Sequence, residues 1–301
     1  MFGNPTFTEL LRAVSRSFFL SMRLLPREMQ PAVAIGYLLA RATDSVADTS
    51  SAPAEQRRAV LAQMGQVIAG EADSEVTELL LMRLGGAMAQ AQQNPAEFRL
   101  LRFFGDCLAM LQTLPAAQRR LVQRVLASIT EGQMWDLTAF TPEHAAVQSD
   151  DETRRYTYLV AGCVGEFWTS LGYETLGGRF ADPARREIMG KAAVRYGQGL
   201  QLVNILRDRE EDAARGRSYL CSSPELWADR AERYLRDGVD YSSRLRGFRV
   251  RLASVLPALL GLRTLRLMRR RGLGQGKVKI SRASVYAALA EGVCRALLPV
   301  R

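Results

Sequence analysis

Histidine is almost absent from this 301-residue sequence, because His144 is the only one. A histidine-based metal site or a Ser/His/Asp triad would depend on that single residue, in the loop-like stretch FTPEHAA, and we interpret it as a surface residue. Closely spaced cysteines are also lacking, since the four cysteines form no C-x-x-C pair. This pattern argues against a zinc cluster and a disulfide framework, and it fits a reducing cytoplasm.

Long apolar runs are missing too. No uncharged apolar stretch reaches the roughly 18 residues of a membrane span, and the N-terminus shows no basic segment followed by an apolar one. We therefore expect a cytoplasmic protein, soluble or peripheral at the inner membrane face. The formal net charge of +10 fits nucleic acid, an anionic membrane surface or an anionic small substrate, and charge alone does not choose among them.

Strand-like alternation is absent, whereas apolar residues recur at helical spacing in eleven windows. The windows are 6–24, 28–49, 54–70, 75–92, 96–112, 116–137, 152–173, 184–214, 225–247, 249–271 and 281–297. Helix starts are predicted at Ser149 or Asp150 and at Asp182, which precedes Pro183. No linker divides the chain, so the sequence predicts a single all-α domain over residues 1–301.

Two of these predicted helices carry polar stripes in apolar surroundings. Tyr37, Arg41, Asp44 and Asp48 follow the spacing i, i+4, i+7 and i+11, which places them within roughly 60° on one helix face. In the stretch QLVNILRDREED, a similar stripe within roughly 80° consists of Gln201, Asn204, Asp208 and Asp212. Each predicted helix thus presents an aspartate pair four residues apart.

Paired carboxylates of this kind suit Mg²⁺, which prefers oxygen ligands and shares its remaining positions with water and substrate phosphate. Two facing stripes would form a cage for a diphosphate, with Arg41, Arg207 and Arg217 neutralising further phosphate oxygens. The alternative is that each pair lies on an ordinary solvated helix face. The apolar flanks AVAIGYLLA and YGQGLQLVNIL favour the functional interpretation.

Four stretches resemble the squalene/phytoene synthase family in order and spacing: SRSFFLSMRLLP (15–26), YLLARATDSVAD (37–48), YTYLVAGCVGEF (156–167) and QLVNILRDREEDAARGRSYL (201–220). The resemblance runs from about residue 8 to 290 and implies an all-α isoprenoid synthase fold, with the Asp-rich helices on opposite walls of a central cavity.

The resemblance also implies roles for individual residues. Asp44 and Asp48 would form one Mg²⁺-binding group, and the other would consist of Asn204, Asp208 and Asp212. The implied diphosphate-binding arginines are Arg16, Arg41 and Arg207, the implied residues lining the site are Tyr37 and Gln201, and Tyr156 would stand near the reacting carbons. Squalene synthases often have another acid where this chain has Ala47, which leaves open how many carboxylates contact the metal.

The reaction implied is the head-to-head joining of two prenyl diphosphates, with water kept away from a carbocation. Ala161, Gly162 and Gly165 either leave room for a prenyl chain or allow close helix packing. Squalene synthases add a reduction by NADPH, and the basic segment GQGKVKISR (274–282) resembles their cofactor segment, with Lys277, Lys279 and Arg282 as candidates. Phytoene and dehydrosqualene synthases lose a proton instead.

The stretch EGQMWDL (131–137) is similar to bacterial members, which favours squalene formation from two farnesyl diphosphates. A rival class is a basic nucleic-acid binder, but the arginine-rich residues 263–282 contain no aromatic residue for base stacking and no nucleic-acid-binding motif. We expect this basic surface to contact cofactor phosphates or an anionic membrane instead. A non-catalytic scaffold is disfavoured by the two aspartate pairs.

Overall fold

The computed structural model describes residues 5–15, 18–49, 51–141, 144–273 and 278–298. They form fourteen α-helices, with shorter π-helical and 3₁₀ turns between some of them. The α-helices are α1 Pro5–Ser15, α2 Phe18–Leu24, α3 Gln30–Ala47, α4 Ala54–Ala69, α5 Ser74–Arg83, α6 Pro95–Arg102, α7 Phe104–Gln112, α8 Ala116–Ala139, α9 Asp150–Thr157, α10 Cys163–Leu176, α11 Arg186–Ala214, α12 Pro224–Ser243, α13 Phe248–Arg271 and α14 Arg282–Leu297.

The predicted all-α fold is confirmed. The structure is 81% helical, and the described part of the chain contains no β-strand. Among the described residues, β-type backbone pairing consists of isolated bridges, of which Ala146–Ser218 joins two loops. The predicted helix 152–173 contains a π-helical turn at Tyr158–Gly162, which separates α9 from α10.

Side-chain caps fix several helix starts, as their sequences predict. Ser149 accepts a hydrogen bond from the Glu152 amide at the start of α9, so Ser149 rather than Asp150 is the N-cap. Asp182 accepts from the Ala184 amide, with Pro183 in the first turn. These contacts satisfy amide groups that have no partner within their own helix.

The chain divides into two compact units, residues 1–138 and 139–301. In the first unit, α3 packs against α4, α6 and α7 around fully buried residues such as Ile35, Leu38 and Phe104. In the second, α11 packs against α10, α12 and α13, with Trp227 and Tyr241 among the largest buried side chains. The single-domain interpretation of residues 1–301 stays a prediction.

Glycines let the helices around α11 approach closely. A Cβ on Gly165 would lie 2.1 Å from the Ala193 carbonyl oxygen, and one on Gly197 would lie 2.2 Å from the Ala161 oxygen. At Gly162, a Cβ would be 3.1 Å from carbon atoms of both Gln198 and Tyr158. Of the two interpretations of these small residues, close helix packing is therefore the one observed for Gly162 and Gly165.

The remaining expectations concern exposure and cysteine chemistry. His144 is exposed, as predicted. All four cysteines are free thiols, and burial raises the pKa of Cys107 and Cys163 to about 12. In the described segments, no helix is both long and apolar enough to cross a bilayer.

Candidate active site

The first aspartate pair lies at the C-terminal end of α3. Asp44 is in the last turn of the helix, and Asp48 follows it as the C-cap, with its amide donating to the Asp44 carbonyl at 2.9 Å. The helix dipole disfavours negative charge at this end, and the last turn of α3 contains no basic residue. One carbonyl there, that of Ala47, accepts a hydrogen bond from Arg57 of α4. A cation bound by these two carboxylates would therefore also be attracted by the negative end of the α3 dipole.

Arg41 connects this pair to α6. Its guanidinium forms an ion pair with Asp44, and its other terminal nitrogen donates to Glu97 Oε1 at 2.5 Å. Glu97 also accepts from Asn94 Nδ2 at 3.1 Å. Glu97 was not predicted from the sequence, because it lies 56 positions from Arg41 and outside every recognisable motif. Two carboxylates thus fix the position of Arg41.

Burial and repulsion from Asp48 raise the pKa of Asp44 to about 6, against the opposing effect of Arg41. The Asp44 side chain nevertheless keeps 41% of its surface exposed, so it is accessible to a ligand. On the same stripe, Tyr37 donates from its hydroxyl to the Val14 carbonyl at 3.1 Å, which ties α3 to α1. All four predicted residues of this stripe therefore lie on α3 or at its end.

The second stripe lies along the C-terminal half of α11. Val203 and Leu206 are buried and hold the opposite face of the helix in the core. Asn204 donates to the Gln201 side-chain oxygen at 3.4 Å, and Asp212 lies in the last turn. That turn, like the last turn of α3, contains no basic residue. The predicted stripe of Gln201, Asn204, Asp208 and Asp212 is therefore present on one helix.

Arg207 and Asp208 form a two-pronged ion pair. The Arg207 Nε donates to Asp208 Oδ1 at 2.8 Å, and its Nη2 donates to Oδ2 at 2.5 Å. After α11 the chain turns at Gly216, whose φ of +73° favours glycine, and the Arg217 amide then donates to the Asp212 carbonyl at 2.9 Å. Arg217 therefore follows directly on the acidic end of α11.

Tyr156 belongs to an aromatic group in the second unit. Its ring stacks on Tyr219, with centroids 4.7 Å apart and an angle of 15° between the planes. The Phe140 ring packs edge-on against the Tyr219 ring, with centroids 5.0 Å apart. Thr153 Oγ1 donates a hydrogen bond to the Tyr219 carbonyl at 2.8 Å. These contacts place Tyr156 beside the segment that follows Arg217. Sequence reasoning missed Tyr219, although it stands in the motif RGRSYL.

The family model described as squalene/phytoene synthase matches residues 11–223, more than half of the chain. The chain belongs to the squalene/phytoene synthase family. The match contains both aspartate stripes and Tyr156, so the resemblance seen in the sequence is confirmed at the level of the family. Members of this family act on prenyl diphosphates.

Individual relatives are distant. The squalene synthase of Schizosaccharomyces pombe is 24% identical over 223 residues, which is 73% of this chain and 44% of that protein. The 15-cis-phytoene synthase of Synechocystis is 28% identical over 208 residues, 68% of this chain and 52% of that protein. The chain thus spans about half the length of these relatives or less. They represent both branches of the family.

The solved structure of TcSQS in complex with the ligand E5700 has the same fold, with a TM-score of 0.71. It is 22% identical, and the alignment covers 96% of this chain and 85% of that one. The likeness shows that the two chains share an all-α fold, and the chemistry of this chain has to be argued from its residues.

The predicted cofactor segment lies beyond residue 223, where the family match ends. Lys279 and Arg282 are both exposed, and Arg282 is the first residue of α14. Ser281 caps this helix by accepting from the Ser284 amide at 3.2 Å. Lys277 and the predicted diphosphate ligand Arg16 lie outside the described residues.

The donor set of both stripes fits Mg²⁺, because it consists of carboxylate and amide oxygens. Asp44, Asp48 and Asp212 also lie at the C-terminal ends of their helices, which favour positive charge. Among the described residues, no three side chains of His, Cys, Asp or Glu come together as a metal-binding group. Mg²⁺ is commonly held by one or two carboxylates, with water and substrate phosphates completing the octahedron. Each stripe has the ligands for that mode of binding.

Proposed function

We propose that this protein joins two molecules of farnesyl diphosphate head to head, through presqualene diphosphate, and reduces the product to squalene with NADPH. The observation that carries this proposal is the pair of aspartate stripes at the C-terminal ends of α3 and α11. Within a family that acts on prenyl diphosphates, two such stripes suit two diphosphate-bearing substrates.

The arginines in the stripes support diphosphate binding. Arg41 and Arg207 now pair with Asp44 and Asp208, the same carboxylates that we propose as metal ligands. When those carboxylates bind Mg²⁺, the guanidinium groups become available to donate to the oxygens of the departing diphosphate. Bound Mg²⁺ supplies positive charge that stabilises the negative charge developing on that leaving group.

The carbon–oxygen bond of one substrate breaks with its electron pair on the diphosphate, and the double bond of the second substrate supplies electrons for the new carbon–carbon bond. As the cyclopropane ring closes, a proton leaves carbon and is taken up by the released diphosphate. In the second stage the other carbon–oxygen bond breaks, and NADPH, which Lys279 and Arg282 would hold, would supply the hydride that reduces the rearranged cation.

We assign Tyr156 to the steps after ionisation. The stacking on Tyr219 holds its ring, and Tyr219 is in turn held by Phe140 and by the hydrogen bond from Thr153. A hydroxyl fixed in this way needs little reorganisation during the reaction, which is the property of an effective electrostatic or proton-transfer group. Its position beside the end of α11 is consistent with this role.

NADPH use rests on the basic residues at the start of α14. Lys279 and Arg282 stand at the start of α14, where the helix N-terminus and two basic side chains suit a phosphate group. The second candidate function omits this step, and the protein would then be a phytoene or dehydrosqualene synthase. The phytoene synthase of Synechocystis among the relatives favours that alternative.

One experiment separates the candidates. Purified protein is incubated with Mg²⁺ and either farnesyl or geranylgeranyl diphosphate, with and without NADPH, and the hydrocarbon is identified by mass spectrometry. We expect squalene only from farnesyl diphosphate with NADPH. Dehydrosqualene or phytoene would favour the alternative without reduction. No condensation product under any condition would contradict the enzyme assignment.

A further inference from the structure

The outward side of α14 carries large apolar side chains in solvent. Tyr286, Val293 and Leu297 are 67%, 36% and 66% exposed, and Leu298 just beyond the helix is 66% exposed. They make up four of the ten large exposed apolar side chains among the described residues, within a segment of thirteen positions. Scattered apolar side chains need no explanation, but a cluster on one helix indicates a binding surface.

These residues are not needed to hold α14 in place. A different face of the helix, with Ala288, Gly292 and Ala296, is buried. Ala288 shares a buried cluster with Val255 and Leu259 of α13. Arg263 of α13 pairs with Glu291 at 2.8 Å, and Arg251 donates to the carbonyls of Ala296 and Leu298, both at 2.9 Å. The helices therefore run antiparallel, and Tyr286 lies towards the C-terminal end of α13.

That end of α13 is basic on the side that carries α14. Leu252, Val255 and Leu259 contact α14, and helical periodicity continues the same face through Arg263 to Arg266 and Arg270. Arg266 and Arg270 are exposed and make no ion pair within the described residues. Arg263 and Arg269, by contrast, are paired with acidic residues. Unpaired positive charge thus adjoins the Tyr286 end of the apolar stripe.

We propose that this surface, defined as Tyr286, Val293 and Leu297 with Arg266 and Arg270, docks on an anionic lipid bilayer. Apolar side chains on a helix bind at the acyl boundary, and neighbouring arginines attract acidic headgroups. A symmetric contact between two copies is less suited, because it would bring two unpaired arginine groups to one interface. The proposal does not depend on the reaction that the protein catalyses, and it does not use Lys279 or Arg282.

Docking can be measured with phosphatidylglycerol/phosphatidylcholine vesicles and, for comparison, pure phosphatidylcholine vesicles, in the absence of any substrate. In a Cys221→Ser variant, Cys294 on α14 is the remaining exposed cysteine of the four, because Cys107 and Cys163 are buried. An environment-sensitive fluorophore on Cys294 reports whether α14 itself enters the interface. We expect a blue shift with anionic vesicles at low salt, and weaker binding as salt rises.

Variants separate the apolar part from the charged part. Leu297→Gln should weaken partitioning about five- to tenfold, because it removes apolar surface from the acyl boundary. Its control is Ile188→Gln, an equally exposed residue on α11. Arg266→Gln with Arg270→Gln should weaken binding about 25-fold, at about fivefold per arginine. The matched control for charge is Arg233→Gln with Arg244→Gln, two exposed arginines of the same unit.

Three results would overturn the proposal. The first is no association with anionic vesicles at low salt, measured by co-flotation. The second is vesicle binding that Leu297→Gln leaves unchanged, or that the Arg266/Arg270 and Arg233/Arg244 double variants weaken equally. Either result would indicate only a general attraction by the net charge of the protein. The third is a wild-type dimer in light scattering that Leu297→Gln converts to a monomer, without vesicle binding, because the surface would then be an interface between copies.

Discussion

The two aspartate stripes share a spacing but differ in what surrounds them. In the first unit, Arg41 forms ion pairs with Asp44 and with Glu97 of α6. Glu97 would therefore still hold Arg41 when Asp44 binds a metal ion. In the second unit, Arg207 pairs with the adjacent Asp208 in a two-pronged contact. The first arginine is therefore held by tertiary structure and the second mainly by its own helix.

The helices that carry the stripes are also packed differently. On α11, Gly197 lets the π-helical turn Tyr158–Gly162 approach, and Gly199 does the same for α12, to distances that any Cβ would block. Gly165 of α10 allows a similar approach to α11 from its side. Around the stripe of α3, the contacts that fix the helix end come from side chains, such as those of Arg57 and Gln92. Activity should thus depend on backbone packing in the second unit and on side-chain contacts in the first.

The largest effect should follow the loss of one metal-binding carboxylate from either stripe. We expect Asp48→Asn and Asp212→Asn each to lower product formation about 10²–10³-fold, the usual range for removing one preorganised electrostatic group. Circular dichroism should show unchanged helical content. Asp106→Asn and Asp240→Asn, at exposed positions in the corresponding units, serve as controls and should retain activity. Near-normal turnover of Asp48→Asn or Asp212→Asn would contradict the assignment of that stripe.

The next effect concerns the packing of α11. A Cβ at residue 165 would meet the Ala193 carbonyl at 2.1 Å, so Gly165→Ala forces α10 and α11 apart. We expect a loss of about 2 kcal/mol in the free energy of unfolding, measured by urea denaturation, together with reduced activity. Gly190→Ala on α11 meets nothing within 4 Å and should be neutral or slightly stabilising. A stable Gly165→Ala would restore the interpretation of this glycine as room for a prenyl chain.

A smaller effect is expected from Glu97, which holds Arg41. Glu97→Gln keeps the shape of the side chain and removes its charge, so Arg41 loses one of its two ionic partners. We expect KM for the prenyl diphosphate to rise about fivefold with little change in kcat, because a hydrogen bond between charged groups is weakened at a partly exposed site. Glu9→Gln, in an exposed pair with Arg99, is the control. A fall in kcat at constant KM would contradict a positioning role.

The sequence predicted local features more accurately than contacts distant in sequence. Helical periodicity located α3 and α11, and the caps at Ser149 and Asp182 were readable because they involve neighbours in the chain. Glu97 and Tyr219 were missed, since pairing with Arg41 and stacking on Tyr156 arise only when segments distant in the sequence pack together. The close approach at Gly165 could not be distinguished from a cavity for the same reason.

Ala47 offers the smallest and most specific test of the difference between the stripes, because α11 has Glu211 beside Asp212 whereas α3 has Ala47 beside Asp48. Ala47→Glu adds negative charge at the C-terminal end of α3 and should destabilise the protein by about 0.5 kcal/mol without Mg²⁺. Mg²⁺ should then raise Tm more than in the wild type, because the added carboxylate strengthens the cation site. Ala69→Glu places the same charge at the exposed end of α4, where the destabilisation should remain when Mg²⁺ is added. If Mg²⁺ raised the Tm of Ala47→Glu and Ala69→Glu equally, the end of α3 would attract cations only as any acidic helix end does. The first stripe would then not be part of the proposed metal site.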